Sequence, residues 1–352
     1  MNVKLFTPPK FYKKKLDINY LNFITDKKWY YSVSGRASIY HILKNLKISK
    51  ILIPNYICIT VLEPLKRLNI ESIFYDIDVE DLNSSLDSIK NLSEKYNIEA
   101  VLVASMYGNP ANMIAIERYC KEKNIFLIDD AAQSFGAKLE DRYIGTFGDA
   151  GFFSFSSGKP TSGHMGSFFW TKNKIEINRK KHCLTHYLKW LDFKLNRYYV
   201  YCSYNNFFRK IVNLSSRFML KMNDMYFDDI CEFEKEIIGG VFYSNLEYKF
   251  RRLYHTKFII KFKNSSYFRV VSTMRGESNP HKIVLIFYDN NIAKEFMEYM
   301  LLNNIVLLNG YSIFNDKLKN AKSIDKCVIE LPIEDNEERM HYLFNKVEKF
   351  EY

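Results

Sequence analysis

The sequence predicts an α/β fold in which a mainly parallel sheet forms a large domain, followed by a smaller α+β domain. Short apolar segments recur about every 25 residues in the first half of the chain, the length of one strand plus a crossover helix. Amphipathic stretches with helical spacing lie between these segments. With 47% hydrophobic residues, the chain of 352 residues can bury a core, which excludes wholesale disorder.

The apolar segments give six strand candidates. They are Lys50–Pro54, Ser72–Tyr75, Glu99–Ser105, Ile125–Ile128, Gly151–Ser154 and Ser167–Trp170. Three stretches place their apolar side chains on one helical face. They are Ala37–Leu46, Ser85–Tyr96 and Asn112–Lys123. This alternation is typical of βαβ units, whose helices cover a parallel sheet.

The pattern changes after about residue 172. Residues 175–265 are basic and aromatic, and Arg209–Met222 is an amphipathic cationic stretch that we interpret as a solvated helix face or a membrane-surface contact. Strand and helix candidates then return in a second unit. They are Phe268–Ser272, Lys282–Phe287, Asn291–Leu302, Ile305–Leu308 and Glu337–Phe350. We place an N-terminal segment at 1–20, the large domain at 21–215 and the small domain at 216–352.

The chain carries 51 Lys and Arg against 40 Asp and Glu, a net charge of +11. Such an excess suits nucleic acid, a membrane surface or an anionic substrate, but no nucleic-acid module is recognisable, so we expect no nucleic-acid partner. No run of about 18 apolar residues predicts a transmembrane segment. The six cysteines are scattered without a C-x-x-C pair, and the first residues lack a secretory h-region. We therefore expect free thiols, no metal site and a cytoplasmic location.

The segment Ile128–Gly166 carries the residues with the clearest chemistry. Asp129 and Asp130 follow an apolar strand, and ligands of open parallel sheets bind beyond the carboxyl ends of the strands. Lys159 follows the next strand, in a turn of small and polar residues. A partly desolvated lysine amine is a nucleophile. A lysine that forms a Schiff base, with a carboxylate that keeps the pyridinium nitrogen protonated, is what pyridoxal phosphate (PLP) requires.

Further motifs surround this pair. In chain order they are Ser34-Gly35-Arg36-Ala37, Ile53-Pro54-Asn55-Tyr56, Tyr107-Gly108-Asn109-Pro110, Asp130-Ala131-Ala132-Gln133, Gly136-Ala137, Gly145 with Gly148-Asp149, Phe153-Ser154-Phe155, Lys159, and Gly163 with Gly166. Their order and spacing resemble those of the DegT/DnrJ/StrS family of PLP-dependent sugar aminotransferases. The resemblance implies a type I PLP-dependent transferase fold and a homodimer whose active sites are each built from two subunits.

The resemblance also assigns roles around the cofactor ring. Lys159 would form the Schiff base and move protons during transamination. Asp130 would pair with the pyridinium nitrogen, and Gln133 would hydrogen-bond the phenolic oxygen. Tyr56 is the nearest aromatic candidate to cover the ring, although strict spacing falls on Cys58.

A second group of residues would hold the cofactor phosphate. Ser154 would donate to the phosphate, while Gly35 and Arg36 would present backbone N–H groups at a helix N-terminus, where unpaired donors and the helix dipole favour an anion. His164 stands where the family usually has a glutamate, and we regard it as a weak candidate for substrate binding.

The resemblance implies an aminotransferase that moves an amino group, usually from glutamate, to a nucleotide-linked keto sugar for a surface polysaccharide or glycoconjugate. A related PLP sugar dehydratase is one alternative, but a histidine replaces the lysine in those members and Lys159 argues against it. Another alternative is a catalytically reduced protein of the same fold, a scaffold or peripheral membrane component of a polysaccharide pathway. His164-Met165 and the poorly matching residues 175–245 motivate that alternative.

Overall fold

The computed structural model describes residues 27–156, 158–160, 165–175, 183–184, 186–188, 227, 247–273, 275–334 and 336–351. In these residues the chain forms a first unit on a seven-stranded sheet and a second unit on a four-stranded sheet. The basic stretch Arg209–Met222 and the domain boundary at 215 lie outside the described residues, so both stay predictions.

Nine strands belong to the first unit. They are β1 (Tyr30–Ser32), β2 (Lys50–Pro54), β3 (Glu71–Tyr75), β4 (Ala100–Ala104), β5 (Phe126–Asp130), β6 (Lys138–Leu139), β7 (Arg142–Tyr143), β8 (Ala150–Ser154) and β9 (Ser167–Thr171). β6 and β7 pair as a small hairpin, and the others form a sheet in the order β1-β9-β8-β5-β4-β2-β3. The strands from β3 to β8 in that order are parallel, and β9 is antiparallel to both its neighbours. The predicted mainly parallel sheet is confirmed.

Four helices connect these strands. They are α1 (Gly35–Lys44), α2 (Leu62–Arg67), α3 (Leu86–Lys95) and α4 (Met113–Glu122). α1, α3 and α4 lie where the amphipathic pattern predicts them. The Ser34 side chain accepts a hydrogen bond from the Ala37 N–H at 3.2 Å, which satisfies a free donor and fixes the start of α1 beside the sheet edge.

The second unit has an antiparallel sheet covered by helices. Its strands are β10 (Phe268–Val270), β11 (Lys282–Phe287), β12 (Leu308–Asn309) and β13 (Val328–Pro332). They lie in the sheet in the order β10-β11-β13-β12. The helices of this unit span Glu247–Lys261, Asn290–Leu302, Lys319–Ser323 and Glu337–Glu351. Phenylalanines dominate its core, which explains part of the aromatic content. The strand predicted at Ile305–Leu308 is wrong. Ile305 and Leu307 pack into the core, and the strand β12 spans only Leu308–Asn309.

The second unit docks on the carboxyl edge of the parallel strands. Asn55, directly after β2, donates to the Asn315 carbonyl at 2.8 Å and accepts from the Asn315 N–H at 2.7 Å. Beyond β4, the Asn279 N–H donates to the Gly108 carbonyl at 2.8 Å. Gly108 has φ +84°, and a Cβ there would lie 2.0 Å from the Asn279 carbonyl oxygen. Glycine therefore permits this close approach, which covers the edge where ligands of such sheets bind.

In the described part of the chain, no helix is both long enough and apolar enough to cross a membrane. Cys58, Cys120 and Cys327 are free thiols, whereas Cys183 is disulfide-bonded. The expectation of free thiols is therefore wrong for Cys183. Sequence spacing cannot reveal which cysteines come within the roughly 7 Å between Cα atoms that a disulfide needs.

Candidate active site

The predicted phosphate-binding residues meet at the edge of the large sheet. Ser154 ends β8, and Gly35 begins α1 directly above it. A Cβ built on Gly35 would lie 3.4 Å from the Ser154 Cβ and 3.6 Å from its Oγ. The N-terminus of a ten-residue helix and a serine hydroxyl therefore face the same small space. This arrangement suits an oxyanion such as a phosphate.

Asp129 and Asp130 end β5 and point to opposite faces of the sheet, as successive strand residues do. The Asp129 Oδ2 accepts from the Gly145 N–H at 2.6 Å and the Phe147 N–H at 3.1 Å. Burial raises the pKa of Asp129 to about 7, against these two hydrogen bonds. Asp129 thus holds the turn that follows the hairpin and has a structural role.

Asp130 faces the other side, where Lys159 lies. Its Oδ1 accepts from the Ala132 N–H at 2.9 Å. Burial raises the pKa of Asp130 to about 6, while the Ala132 hydrogen bond and the positive charge of Lys159 oppose the shift. The structure therefore brings the predicted lysine and carboxylate into electrostatic contact.

The turn that carries Lys159 is held from both units. The Lys159 N–H donates to the Ser156 carbonyl at 3.2 Å. Arg251, on the helix Glu247–Lys261 of the second unit, donates a hydrogen bond to the Pro160 carbonyl. The lysine is therefore fixed relative to the sheet by a residue that comes almost a hundred positions later in the sequence.

Gln133 lies at the same edge and supports the turn after β4. Its Oε1 accepts from the Tyr107 N–H at 3.2 Å, and its Nε2 points to the Met106 Sδ at 3.6 Å. Tyr107 has φ +56°, a conformation that costs a non-glycine residue energy and is often found at functional sites. The predicted role of Gln133 toward a cofactor stays a prediction, since its amide retains donor capacity.

Two other predicted residues have different surroundings from those expected. The Arg36 guanidinium forms an ion pair with Glu63 at 2.5 Å. Tyr56 is buried at the junction of the two units, and its hydroxyl lies 2.8 Å from that of Tyr107. This burial disfavours the predicted role of Tyr56 in covering a cofactor ring, and that role stays a prediction. His164 lies outside the described residues.

A buried polar chain from the second unit was not predicted. The Tyr311 N–H donates to the Tyr56 hydroxyl at 3.1 Å. The Tyr107 hydroxyl donates to Glu330 at 2.8 Å, so the Tyr56 hydroxyl must donate to that of Tyr107. Glu330 also forms a buried ion pair with Lys282. Tyr107 belongs to one of the motifs quoted above, but no sequence signal marked the second-unit residues.

His281 completes this side of the site. Its ring stacks on that of Tyr107, with centroids 6.3 Å apart. Burial, together with the charges of Lys282, Arg251 and Lys159, lowers the pKa of His281 well below its ordinary value. A neutral imidazole therefore lies within electrostatic reach of the predicted lysine.

Comparisons with known proteins identify similar sequences for the first half of the chain and similar structures for most of it. Residues 17–187 match the sequence profile described as the DegT/DnrJ/EryC1/StrS aminotransferase family. The chain is 29% identical over 177 residues to a GDP-perosamine synthase of Escherichia coli O157:H7, covering 49% of this chain and 47% of that protein. The chain spans about half or less of the length of the curated relatives that it matches.

Solved structures resemble the whole fold. The S. venezuelae DesV structure has a TM-score of 0.73 at 15% identity, with 95% of this chain and 87% of that chain covered. An E. coli GDP-4-keto-6-deoxy-D-mannose-3-dehydratase with bound hydrated PLP has a TM-score of 0.66 at 18% identity, covering 93% and 89%. At these identities the likeness shows the fold, and the predicted type I fold class is confirmed.

Proposed function

We propose that the protein is a PLP-dependent aminotransferase that moves an amino group to a nucleotide-linked keto sugar. The observation that carries this proposal is the placement of Lys159 beside the buried Asp130, at the same sheet edge as Ser154 and the start of α1. A nucleophilic amine, an acidic partner and an oxyanion cradle are the three groups that PLP needs from a protein. The match to the aminotransferase family supports the reaction class.

The residues present fit the cofactor. Gly35 leaves open the space that a Cβ would occupy 3.2 Å from the Phe152 ring, so a phosphate can approach the N–H groups of α1 and the Ser154 hydroxyl. Lys159 would hold the cofactor covalently, and Asp130 would hold its pyridinium nitrogen. With a pKa of about 6, Asp130 is mostly ionised at neutral pH. A cationic group bound beside it would favour the ionised carboxylate further. When bound, PLP supplies an electron sink for the substrate carbon.

The residues of the chain would then bind, orient and move protons. When it does not hold the cofactor, the Lys159 amine would take and return protons at the reacting carbon of the substrate. Its turn is held in place by Arg251 from the second unit. Gln133 would orient the ring through its amide. The junction of the two units covers the edge, and this coverage would exclude water from the reacting atoms.

We also propose the finer features that the resemblance implies. Glutamate would be the amino donor, and the amino sugar would enter a surface polysaccharide or glycoconjugate such as O-antigen. The protein would act as a homodimer in the cytoplasm. The net charge of +11 would assist the capture of the anionic diphosphate of the substrate.

The direct test uses the purified full chain with PLP, glutamate and keto sugars linked to GDP, dTDP or UDP. We expect a visible-range absorption band from lysine-bound PLP and an amino sugar product detected by mass spectrometry. Lys159→Ala should abolish both, whereas Lys172→Ala, at an exposed lysine paired with Asp149, should change neither. A protein with neither band nor product would overturn the proposal, and a deoxygenated product without added nitrogen would favour the dehydratase alternative.

A further inference from the structure

Three buried serine hydroxyls form a chain beneath the start of α1. Ser38, on α1, lies between Ser32 of β1 and Ser167 of β9, and its Oγ is 2.7 Å from the Oγ of each. All three side chains are at most 1% exposed. Ser32 and Ser167 are directly opposite each other in the antiparallel pairing of β1 with β9. The sheet therefore places two members of the chain, and the helix supplies the third.

The two ends of the serine chain reach backbone carbonyls. The Ser32 hydroxyl donates to the Ser34 carbonyl at 3.1 Å. The Ser167 hydroxyl donates to the Phe153 carbonyl at 2.5 Å. Ser38 is the middle member and connects these two ends, so its hydroxyl joins the entry of α1 to the end of β8.

Each of these carbonyls belongs to the peptide group that leads into a residue of the oxyanion cradle. The Ser34 carbonyl shares its peptide group with the Gly35 N–H, and the Phe153 carbonyl shares one with the Ser154 N–H. Because a peptide group is planar and rigid, holding its carbonyl also fixes the direction of its N–H. The fold brings Gly35 and Ser154 to one edge, and the serine chain sets how the Gly35 N–H is directed there.

The same contacts make the Gly35 N–H a stronger donor. In the first turn of a helix this N–H has no carbonyl partner within the helix. The Ser34 carbonyl, at the other end of its peptide group, accepts from the Ser32 hydroxyl and from the Ser38 N–H at 3.0 Å. Hydrogen bonds in a chain polarise one another, and the effect is larger in a buried environment of low dielectric constant. The serine chain therefore favours an anion at the start of α1.

We propose that Ser38 is a positioning residue for the phosphate of PLP. It does not touch the phosphate, but it holds the first turn of α1 so that the N–H groups and the Ser154 hydroxyl bind one oxyanion. The identity of that oxyanion rests on the proposed function. An alanine at position 38 would keep the helix, since alanine is the best helix former, but Ser32 and Ser167 would lose the hydroxyl that they share.

Three variants test this role. Ser38→Ala removes the middle of the chain, and Ser32→Ala removes its link to the Ser34 carbonyl without changing α1. Ser93→Ala, on α3, is the matched control, because the Ser93 hydroxyl is buried but has no hydrogen-bond partner among the described residues. Thermal unfolding without ligand shows whether each variant folds, and Ser32→Ala decides the question if Ser38→Ala does not.

The probes are PLP, pyridoxal, which lacks the phosphate, and inorganic phosphate. The visible band measures the affinity for PLP and pyridoxal, and calorimetry measures the affinity for phosphate. We expect Ser38→Ala to weaken the binding of PLP and of phosphate by about tenfold, the effect of losing one hydrogen bond. Its affinity for pyridoxal should match that of wild type, and Ser93→Ala should bind all three probes like wild type.

Wild-type affinities for PLP and phosphate in both Ser38→Ala and Ser32→Ala would overturn the proposal. An equal loss for pyridoxal would also overturn it, because the damage would then not concern the phosphate. So would a wild type that binds no phosphate. A wild type that binds phosphate but forms no visible band with PLP would count against the proposed function, and the phosphate titrations would still decide the role of Ser38.

Discussion

The two halves of the candidate site are positioned in different ways. In the first unit, Asp130 and Ser154 lie at strand ends and Gly35 at a helix start, so backbone geometry alone puts them together. In the second unit, His281 and Glu330 reach the site through side-chain contacts across the junction. The first half depends on the sheet, whereas the second depends on docking.

This difference separates the effects of mutation. A substitution in the second half should disturb both the stability of the junction and the site. A substitution at a strand end of the first half should disturb the chemistry and leave the junction intact.

The largest effect is expected from Glu330→Gln. The substitution removes the carboxylate that neutralises the buried Lys282, and breaking a buried ion pair by removing one partner costs about 3–5 kcal/mol of unfolding free energy. Chemical denaturation measures this loss. The control is Glu348→Gln, which breaks the exposed pair with Lys261 at 2.7 Å and should cost less than about 1 kcal/mol. Equal costs for both variants would show that the buried pair of the second unit contributes no more to stability than an exposed pair.

Gly108→Ala should destabilise the protein by about 2–3 kcal/mol. The left-handed conformation costs an alanine about 1 kcal/mol or more, and its Cβ would lie 2.0 Å from the Asn279 carbonyl oxygen. The second-unit segment before His281 would have to move away. Denaturation gives the stability, and limited proteolysis should show faster cleavage near residue 279. A variant as stable as wild type would contradict the close approach at the junction.

Tyr107→Phe should cost about 1–2 kcal/mol, because the Tyr56 hydroxyl loses its acceptor and remains buried. Glu330 keeps its pair with Lys282, so the loss should be smaller than that from Glu330→Gln. Denaturation of both variants side by side checks the order. The reverse order would mean that the hydroxyl chain across the junction contributes more to stability than the ion pair within the second unit.

In the first half of the site, Asp129 should make the stability of the protein depend on pH. Its pKa is about 7 in the folded protein and about 3.8 ordinarily, so the folded state keeps a proton that the unfolded state releases. The stability contributed by this carboxyl therefore falls as pH rises from about 4 to about 7. Without cofactor, wild type should lose stability relative to Asp129→Asn between about pH 6 and pH 8, by an amount on the order of 1 kcal/mol. A difference that stays constant across this range would contradict the raised pKa.

The sequence was a good guide where local rules decide the structure. Strands such as Lys50–Pro54 and Lys282–Phe287 were predicted with the bounds observed. A short apolar segment between turn residues is buried most compactly as a strand, so its bounds follow from the sequence. The strand at Leu308–Asn309 was predicted too early in the chain, at Ile305–Leu308. Ile305 and Leu307 are apolar because they pack into the core, and not because they belong to the strand ladder. Apolar character alone does not distinguish these two cases.

The residues of the site also differ in whether local sequence rules could predict their positions. Asp130, Ser154 and Lys159 follow strands, so their meeting at one edge could be predicted from topology. Asp129 could not be separated from Asp130 by residue type, since only the alternation of the strand gives them different faces. His281 and Lys282 carry no motif. Their place depends on a docking between units that are far apart in the sequence, which periodicity does not encode.

Lys159 is the residue that we expect to hold the cofactor. Reduction of the PLP-loaded protein with borohydride fixes PLP on the lysine that it occupies, and peptide mass spectrometry then identifies that residue. We predict that the modified peptide contains Lys159, and that Asp130→Asn, which keeps the hydrogen bond from Ala132, lowers the extent of modification. A modification on another lysine, or none at all, would contradict the central claim.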